Sequence, residues 1–114
     1  IDHRVLNVDF YSEGLHESLE TNKEVILYRV IQECVNNVIK HAAATRLTIS
    51  LIKDEDGISV TIEDNGKGFD ITSIKKVSGI GLENIHSRIA YLNGTVELDS
   101  APNKGTVVAI HVPF

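Results

Sequence analysis

Residues 46–69 read RLTISLIKDEDGISVTIEDNGKGF, and the fold follows from how this stretch alternates. Leu47, Ile49 and Leu51 face one way, while Arg46, Thr48 and Ser50 face the other, the period-two pattern of a half-buried strand. Asp56-Gly57 marks a turn, after which Ile58, Val60 and Ile62 repeat the alternation, so the two runs form a β-hairpin. The second strand ends on an acidic residue, Asp64, and Gly66 and Gly68 follow where a ligand would press against bare backbone. An aspartate-asparagine-glycine turn is common at strand ends, so this loop alone does not specify a ligand.

Working outward, Thr21 caps a helix and Glu24 completes a capping box. Leu27, Ile31, Cys34, Val35 and Val38 then recur at spacings of three and four, predicting about five helical turns to roughly Ala43. Upstream, Val5 to Phe10 alternates as a short strand before the Ser12-Glu13-Gly14 break. Downstream, Phe69 to Ser78 lacks a firm period and carries Lys75-Lys76, a mobile loop by this reading. Gly81 to Leu92 returns to helix, with Leu82, Ile85, Ile89 and Leu92 on one face, and Asn93-Gly94 ends it. Val96 and Leu98 mark another strand, Pro102-Asn103-Lys104-Gly105 a turn, and Val108, Ile110 and Val112 the last strand. The order β-α-β-β-loop-α-β-β predicts an α+β, two-layer sandwich: a mixed, mostly antiparallel sheet covered on one face by helices.

The chain has 114 residues, room for a single domain spanning 1–114. It lacks methionine altogether, which predicts a piece excised from a longer protein. Its apolar runs are four or five residues long, against about 20 for a bilayer span. A net charge of -5 without a lysine-arginine cluster argues against nucleic acid as a partner. The single cysteine, Cys34, sits at helical spacing from Leu27, Val30, Ile31 and Val38 and is expected to be a small buried hydrophobe.

The opposite face of the long helix is more informative. Arg29, Gln32, Glu33, Asn36, Asn37, Lys40 and His41 share one half of a 100° wheel. A solvated face explains such residues in most amphipathic helices. Adjacent mid-helix asparagines, however, each cost about 0.5 kcal/mol relative to alanine, which a surface selected for stability avoids. Glu33, Asn37 and His41 lie at i, i+4 and i+8, a carboxylate, an amide and an imidazole in a row that suit a magnesium-phosphate group. The pair Gly79 and Gly81 opens the second helix, a natural seat for phosphate oxygens.

Taken together, these motifs resemble those of the GHKL ATP-binding superfamily. Glu33-Cys34-Val35-Asn36-Asn37-Val38-Ile39-Lys40-His41 resembles its N box, and Asp64-Asn65-Gly66-Lys67-Gly68-Phe69 its G1 box. Gly79-Ile80-Gly81-Leu82 resembles the G2 box, and Gly105-Thr106-Val107-Val108 the closing glycine-threonine strand. The four motifs come in the right order, and the match runs from about Val5 to Pro113, nearly the whole chain. Tyr28-Arg29-Val30-Ile31-Gln32-Glu33 and Gly81-Leu82-Glu83-Asn84-Ile85-His86-Ser87-Arg88 are most similar to bacterial sensor histidine kinases of the nitrate-sensor-like subfamily.

The resemblance implies a GHKL ATP-binding fold and roles for single residues, with ATP and Mg²⁺ as the expected cofactors. Asn37 matches the amide that holds Mg²⁺ against the phosphates, a hard cation that keeps several waters. Asp64 matches the carboxylate that accepts the adenine amine, Gly66 and Gly68 let backbone approach the base, and Thr106 lies near it. Lys40 and His41 match positions near the phosphates, as do the lid residues Gly79, Ile80, Gly81 and Leu82. Glu33 is the candidate catalytic residue. It matches a general base in the ATPases and serine kinases, but histidine kinases leave it only a water or the metal shell to orient.

The implied activity is the ATP-binding catalytic half of a sensor histidine kinase, in the cytoplasm, whether or not its parent protein is anchored in the inner membrane. Such a half presents the γ-phosphate to a phosphoacceptor histidine on a dimerisation domain of the same parent. A response-regulator receiver domain is the partner beyond it. Of His3, His16, His41, His86 and His111, only His86 lies on a helix outside the nucleotide boxes, and Ser87 follows it where acceptor motifs carry an acidic residue. Two other readings stay open: an anti-sigma-factor-type serine kinase, and a regulatory module that binds nucleotide without transferring phosphate.

Overall fold

The computed structural model describes residues 6–14, 21–68 and 82–113. The expected α+β sandwich is present: a five-stranded mixed sheet in the order β1-β2-β3-β5-β4, with two helices against it. The strands are β1 (Asn7–Glu13), β2 (Arg46–Lys53), β3 (Gly57–Asp64), β4 (Thr95–Ser100) and β5 (Thr106–Pro113). The helices are α1 (Thr21–Asn37), continued by a π-helical turn (Val38–Ala42), and α2 (Leu82–Tyr91).

The predicted hairpin is β2–β3, with Leu47 opposite Asp64 and Lys53 opposite Ile58. Its turn is closed by Asp54, whose side-chain oxygen accepts from the Asp56 and Gly57 amides at 2.9 and 3.1 Å. Gly57 is obligatory there, because a Cβ would meet the Val112 carbonyl of β5 at 2.2 Å. β3 and β5 pair antiparallel along their whole length, from Gly57–Pro113 to Asp64–Thr106. β1 pairs parallel to β2, which requires a crossover, and α1 supplies it. β1 is also longer than its sequence suggests. Ser12 and Glu13, read as a break, are its last two residues and lie beside Leu51 and Ile52.

Leu47, Ile58 and Val60 of the sheet meet Val30 of α1 and Ile85 and Ile89 of α2 in the core. Each is almost fully buried, worth about 1.5–3 kcal/mol apiece. Cys34 joins this core as expected, and burial pushes its thiol pKa up to about 12. At neutral pH it stays protonated, so no thiolate nucleophile is available.

α2 stops in a Schellman arrangement. The Gly94 amide donates to the Ile89 carbonyl and the Asn93 amide to Ala90, both at 2.9 Å, with Asn93 at φ +60°. The loop after β3 is fastened as well. Asn65 Oδ1 accepts from the amides of Thr45 and Arg46, both at 2.9 Å, and its Nδ2 donates to Thr45 Oγ1. Asn65 therefore belongs to the scaffold: it ties the loop after β3 to the start of β2. Asn65→Ala is expected to cost about 1–2 kcal/mol, since two exposed amides exchange a protein acceptor for water. The urea midpoint should fall with an unchanged m-value, and a midpoint equal to wild type would show that these bonds contribute nothing.

Candidate nucleotide site

The candidate residues fall into two groups, and no described residue of the second lines the groove of the first. The first is an open groove of about 850 Å³ along α1, lined by Arg29, Gln32, Glu33, Asn36, Asn37 and Lys40. These are six of the seven residues placed on the polar face by the helical wheel. Val25 and Tyr28 extend the groove toward the start of α1, and Arg88 crosses to it from α2. The seventh residue, His41, lies in the π-helical turn, where only its backbone is described.

That turn departs from the sequence reading in a specific way. The α-helical ladder ends at Asn37 and winds wider over Val38–Ala42, stopping at Ala43 with φ +52°. A wider turn changes the rotational phase after Asn37, so the i, i+4, i+8 line drawn for a uniform helix holds only from Glu33 to Asn37. Such insertions are frequent at functional sites, and no residue from 38 to 42 announces one.

Glu33 is not a freely solvated carboxylate. Arg88 Nη1 donates to Glu33 Oε2 at 2.8 Å, with the two side chains 37% and 25% exposed, arginine first. Nothing local in the sequence links these two positions, 55 residues apart, so Arg88 takes this role only in the fold.

The second group gathers at the end of β3. Asp64 falls on the helix-facing side, in phase with the buried Ile58, Val60 and Ile62, and is 7% exposed. The Gly66 amide donates to its Oδ1 at 2.8 Å. Burial raises its pKa above the ordinary 3.8, helped by the nearby Glu63 charge, while backbone N–H donors at Gly66 and Thr106 pull the other way. Thr106 is its cross-strand partner in β5. Ser100 Oγ donates to the Gly105 carbonyl at 2.9 Å and lies 2.9 Å from Thr106 Oγ1. With the one Ser100 proton directed to Gly105, the Thr106 hydroxyl donates to Ser100 and keeps its lone pairs for another partner. Ser100, buried and unremarkable in sequence, thus orients a predicted site residue.

Two glycines beside Asp64, Gly68 in this loop and Gly105 in the β4–β5 turn, answer to the scaffold first. Gly68, at φ +61°, lies so close to the β4–β5 turn that a Cβ would meet the Ala101 carbonyl at 2.1 Å. Gly105, at φ +75°, is held equally close to the Asp64 carbonyl. Gly79, Ile80 and Gly81 lie outside the described residues, as does the 69–78 loop. Leu82 is described in its backbone only.

The donor set suits a magnesium nucleotide. A buried acceptor backed by main-chain N–H groups fits an exocyclic amine. Side-chain amides beside Lys40 and Arg88 fit a hydrated cation and phosphate oxygens.

Comparison with known proteins gives the family. The family described as histidine kinase-, DNA gyrase B-, and HSP90-like ATPase matches residues 22–114. The signal transduction histidine-protein kinase/phosphatase DegS of Brevibacillus brevis is 35% identical over 113 residues, 99% of this chain but 29% of its own length. The sensor histidine kinase YdfH of Bacillus subtilis is 41% identical over 102 residues, 88% of this chain and 25% of its own. Among solved structures, Acinetobacter baumannii histidine kinase AdeS superposes with a TM-score of 0.78 over 96% of this chain and 55% of that one. At 20% identity that likeness speaks for the fold alone. The chain spans under a third of the length of these two curated relatives.

Proposed function

Because the chain belongs to the histidine kinase-, DNA gyrase B-, and HSP90-like ATPase family, we propose that it binds Mg-ATP and presents the γ-phosphate to a histidine on a separate dimerisation domain of its parent protein. The observation that carries this reading is Asp64, a buried carboxylate with the Gly66 amide donating to it at the end of β3. An acceptor kept out of water there is costly unless a ligand donor completes it. The exocyclic amine of adenine is such a donor. Guanine sets a carbonyl against Asp64 instead.

Each remaining residue takes a limited task. Asn37 would hold Mg²⁺ through its amide oxygen, a neutral ligand that leaves the cation its waters and its phosphate oxygens. Lys40, in the same groove, would balance phosphate charge. Thr106 would offer its hydroxyl oxygen beside the base. Gly79 and Gly81, with Ile80 and Leu82, would give main-chain N–H groups to the phosphates at the head of α2. Mg²⁺, when bound, would supply neutralisation of phosphate charge. Phosphoryl transfer depends on such positioning more than on covalent help. The acceptor domain and, beyond it, a response-regulator receiver domain in the cytoplasm complete the reading.

Thermal melting of the 114-residue chain tests it. At a hundredfold excess over Kd, Mg-ATP is expected to add about 2.7 kcal/mol of stability, with a smaller gain from Mg-GTP at equal concentration. Equal shifts from both nucleotides would remove the role given to Asp64. No shift from either would remove the nucleotide reading. A second measurement separates the kinase classes. With γ-labelled ATP, acid-labile label is expected on the parent protein and none on this chain alone. His86 is exposed with Ser87 after it, and His111 Nδ1 is 3.2 Å from the Ser59 hydroxyl, so neither stands in an acceptor setting. Acid-stable label on a serine would establish the serine-kinase reading instead.

A further inference from the structure

We propose that Glu33 and Arg88 form a clamp between the two helices of the site, and that Glu33 serves as a positioning residue and not as a proton acceptor. The proposal rests on the nucleotide reading above. Its physical basis is one contact: Arg88 Nη1 donates to Glu33 Oε2 at 2.8 Å across 55 residues of sequence. The carboxylate is three-quarters shielded from solvent, and the guanidinium nearly two-thirds. Exposed ion pairs contribute little, whereas shielded charge-assisted hydrogen bonds are shorter, stronger and geometrically selective.

What the pair connects gives it a consequence for the site. Glu33 stands one helical turn before Asn37 on α1, and both line the groove with Arg88. Arg88 stands less than two turns from the start of α2, which directly follows Gly79-Ile80-Gly81. The clamp therefore fixes the spacing between the amide on the cation side and the helix start on the phosphate side. A general base must aim a free lone pair at the proton it takes. In Glu33 one carboxylate oxygen is already committed to the guanidinium.

The test uses Mg-ATP as the probe, calorimetric affinity on the 114-residue chain, and phosphoryl transfer at saturating ATP in the parent protein. Glu33→Gln and Arg88→Gln are each expected to weaken Mg-ATP by about tenfold, and the double variant to be no worse than either. Saturated transfer should fall by less than that. Exchanging the partners, Glu33→Arg with Arg88→Glu, should restore most of the affinity.

Three results would overturn the clamp. One is Glu33→Gln that binds normally yet loses about a hundred- to ten-thousandfold in saturated transfer, the signature of a lost base. Another is additive losses in the double variant. The third is a folded exchange variant with no recovery. If the exchange variant does not fold, Arg88→Lys decides in its place: affinity between wild type and Arg88→Gln supports the clamp, and affinity no better than Arg88→Gln refutes it. Wild-type chain that binds no Mg-ATP sinks the nucleotide reading alone. The clamp is then judged by the double-Gln cycle on melting temperature, where additive losses count against it.

Discussion

Asp64→Asn is expected to lower Mg-ATP affinity by about ten- to a hundredfold and to collapse the preference for adenine over guanine. A carboxylate offers only acceptors, and Asp64 already receives the Gly66 amide on Oδ1. Its remaining acceptor capacity is what the adenine amine would use. An amide side chain keeps one oxygen for the backbone and turns a donor toward the base. That donor opposes adenine's amine and suits guanine's carbonyl. Losing a hydrogen bond to a charged group costs about 1.5–3 kcal/mol, and each 1.4 kcal/mol is tenfold. Calorimetry with both nucleotides checks it. A variant that still prefers ATP by the wild-type margin would refute the assignment.

The same substitution carries a pH signature in the ligand-free chain. Burial raises the Asp64 pKa above 3.8, so the folded state holds that proton more tightly than the unfolded state does. For a raised carboxylate the stability contribution falls as pH climbs from about the unfolded value through the folded one. This is opposite to the usual salt-bridged aspartate. The stability of Asp64→Asn relative to wild type should therefore improve as pH rises through that window. A difference that stays flat from pH 3 to pH 7 would contradict the cause given for the shift. Keeping a buried charge for a ligand at some cost in stability is a common compromise in binding sites.

Gly68→Ala should destabilise the free chain by about 2–5 kcal/mol, before any nucleotide is added. Two effects combine. Gly68 has φ +61°, which costs a residue with a Cβ about 1–2 kcal/mol. The added carbon would also sit 2.1 Å from the Ala101 carbonyl and 2.9 Å from that of Gly105. Both neighbours are backbone, so the β4–β5 turn or the loop after β3 must shift, at a further cost of about 1–3 kcal/mol. For a domain of this size the melting temperature should drop by on the order of 10–20 °C. If Gly68 served only to let a base approach, the free chain would melt normally and only the nucleotide response would weaken. Melting with and without Mg-ATP separates the two.

Much of this protein was legible in its sequence, because the signals involved are local. Alternation gave β2 and β3 with their turn at Asp56-Gly57, and three-four spacing gave α1 with Cys34 inside. The wheel that gathered Arg29, Gln32, Glu33, Asn36, Asn37 and Lys40 predicted residues that do line one groove. Side chains on one helix share a face whatever the rest of the chain does.

What only the tertiary structure decided involves partners distant in sequence or departures from regular winding. The length of β1 depends on its parallel pairing with β2, so Ser12 and Glu13 read as a break until Leu51 and Ile52 stand beside them. Asn65, Ser100 and Arg88 take their roles from Thr45, Thr106 and Glu33, none of them a helical or strand neighbour in sequence. The π-helical turn after Asn37 left no mark on the sequence pattern. Gly68 and Gly105 announce a turn in sequence, but only the packed backbone shows which carbonyl each must avoid. Periodicity is a property of the chain, whereas a hydrogen bond or a clash across 55 residues exists only after the sheet and helices have been brought together.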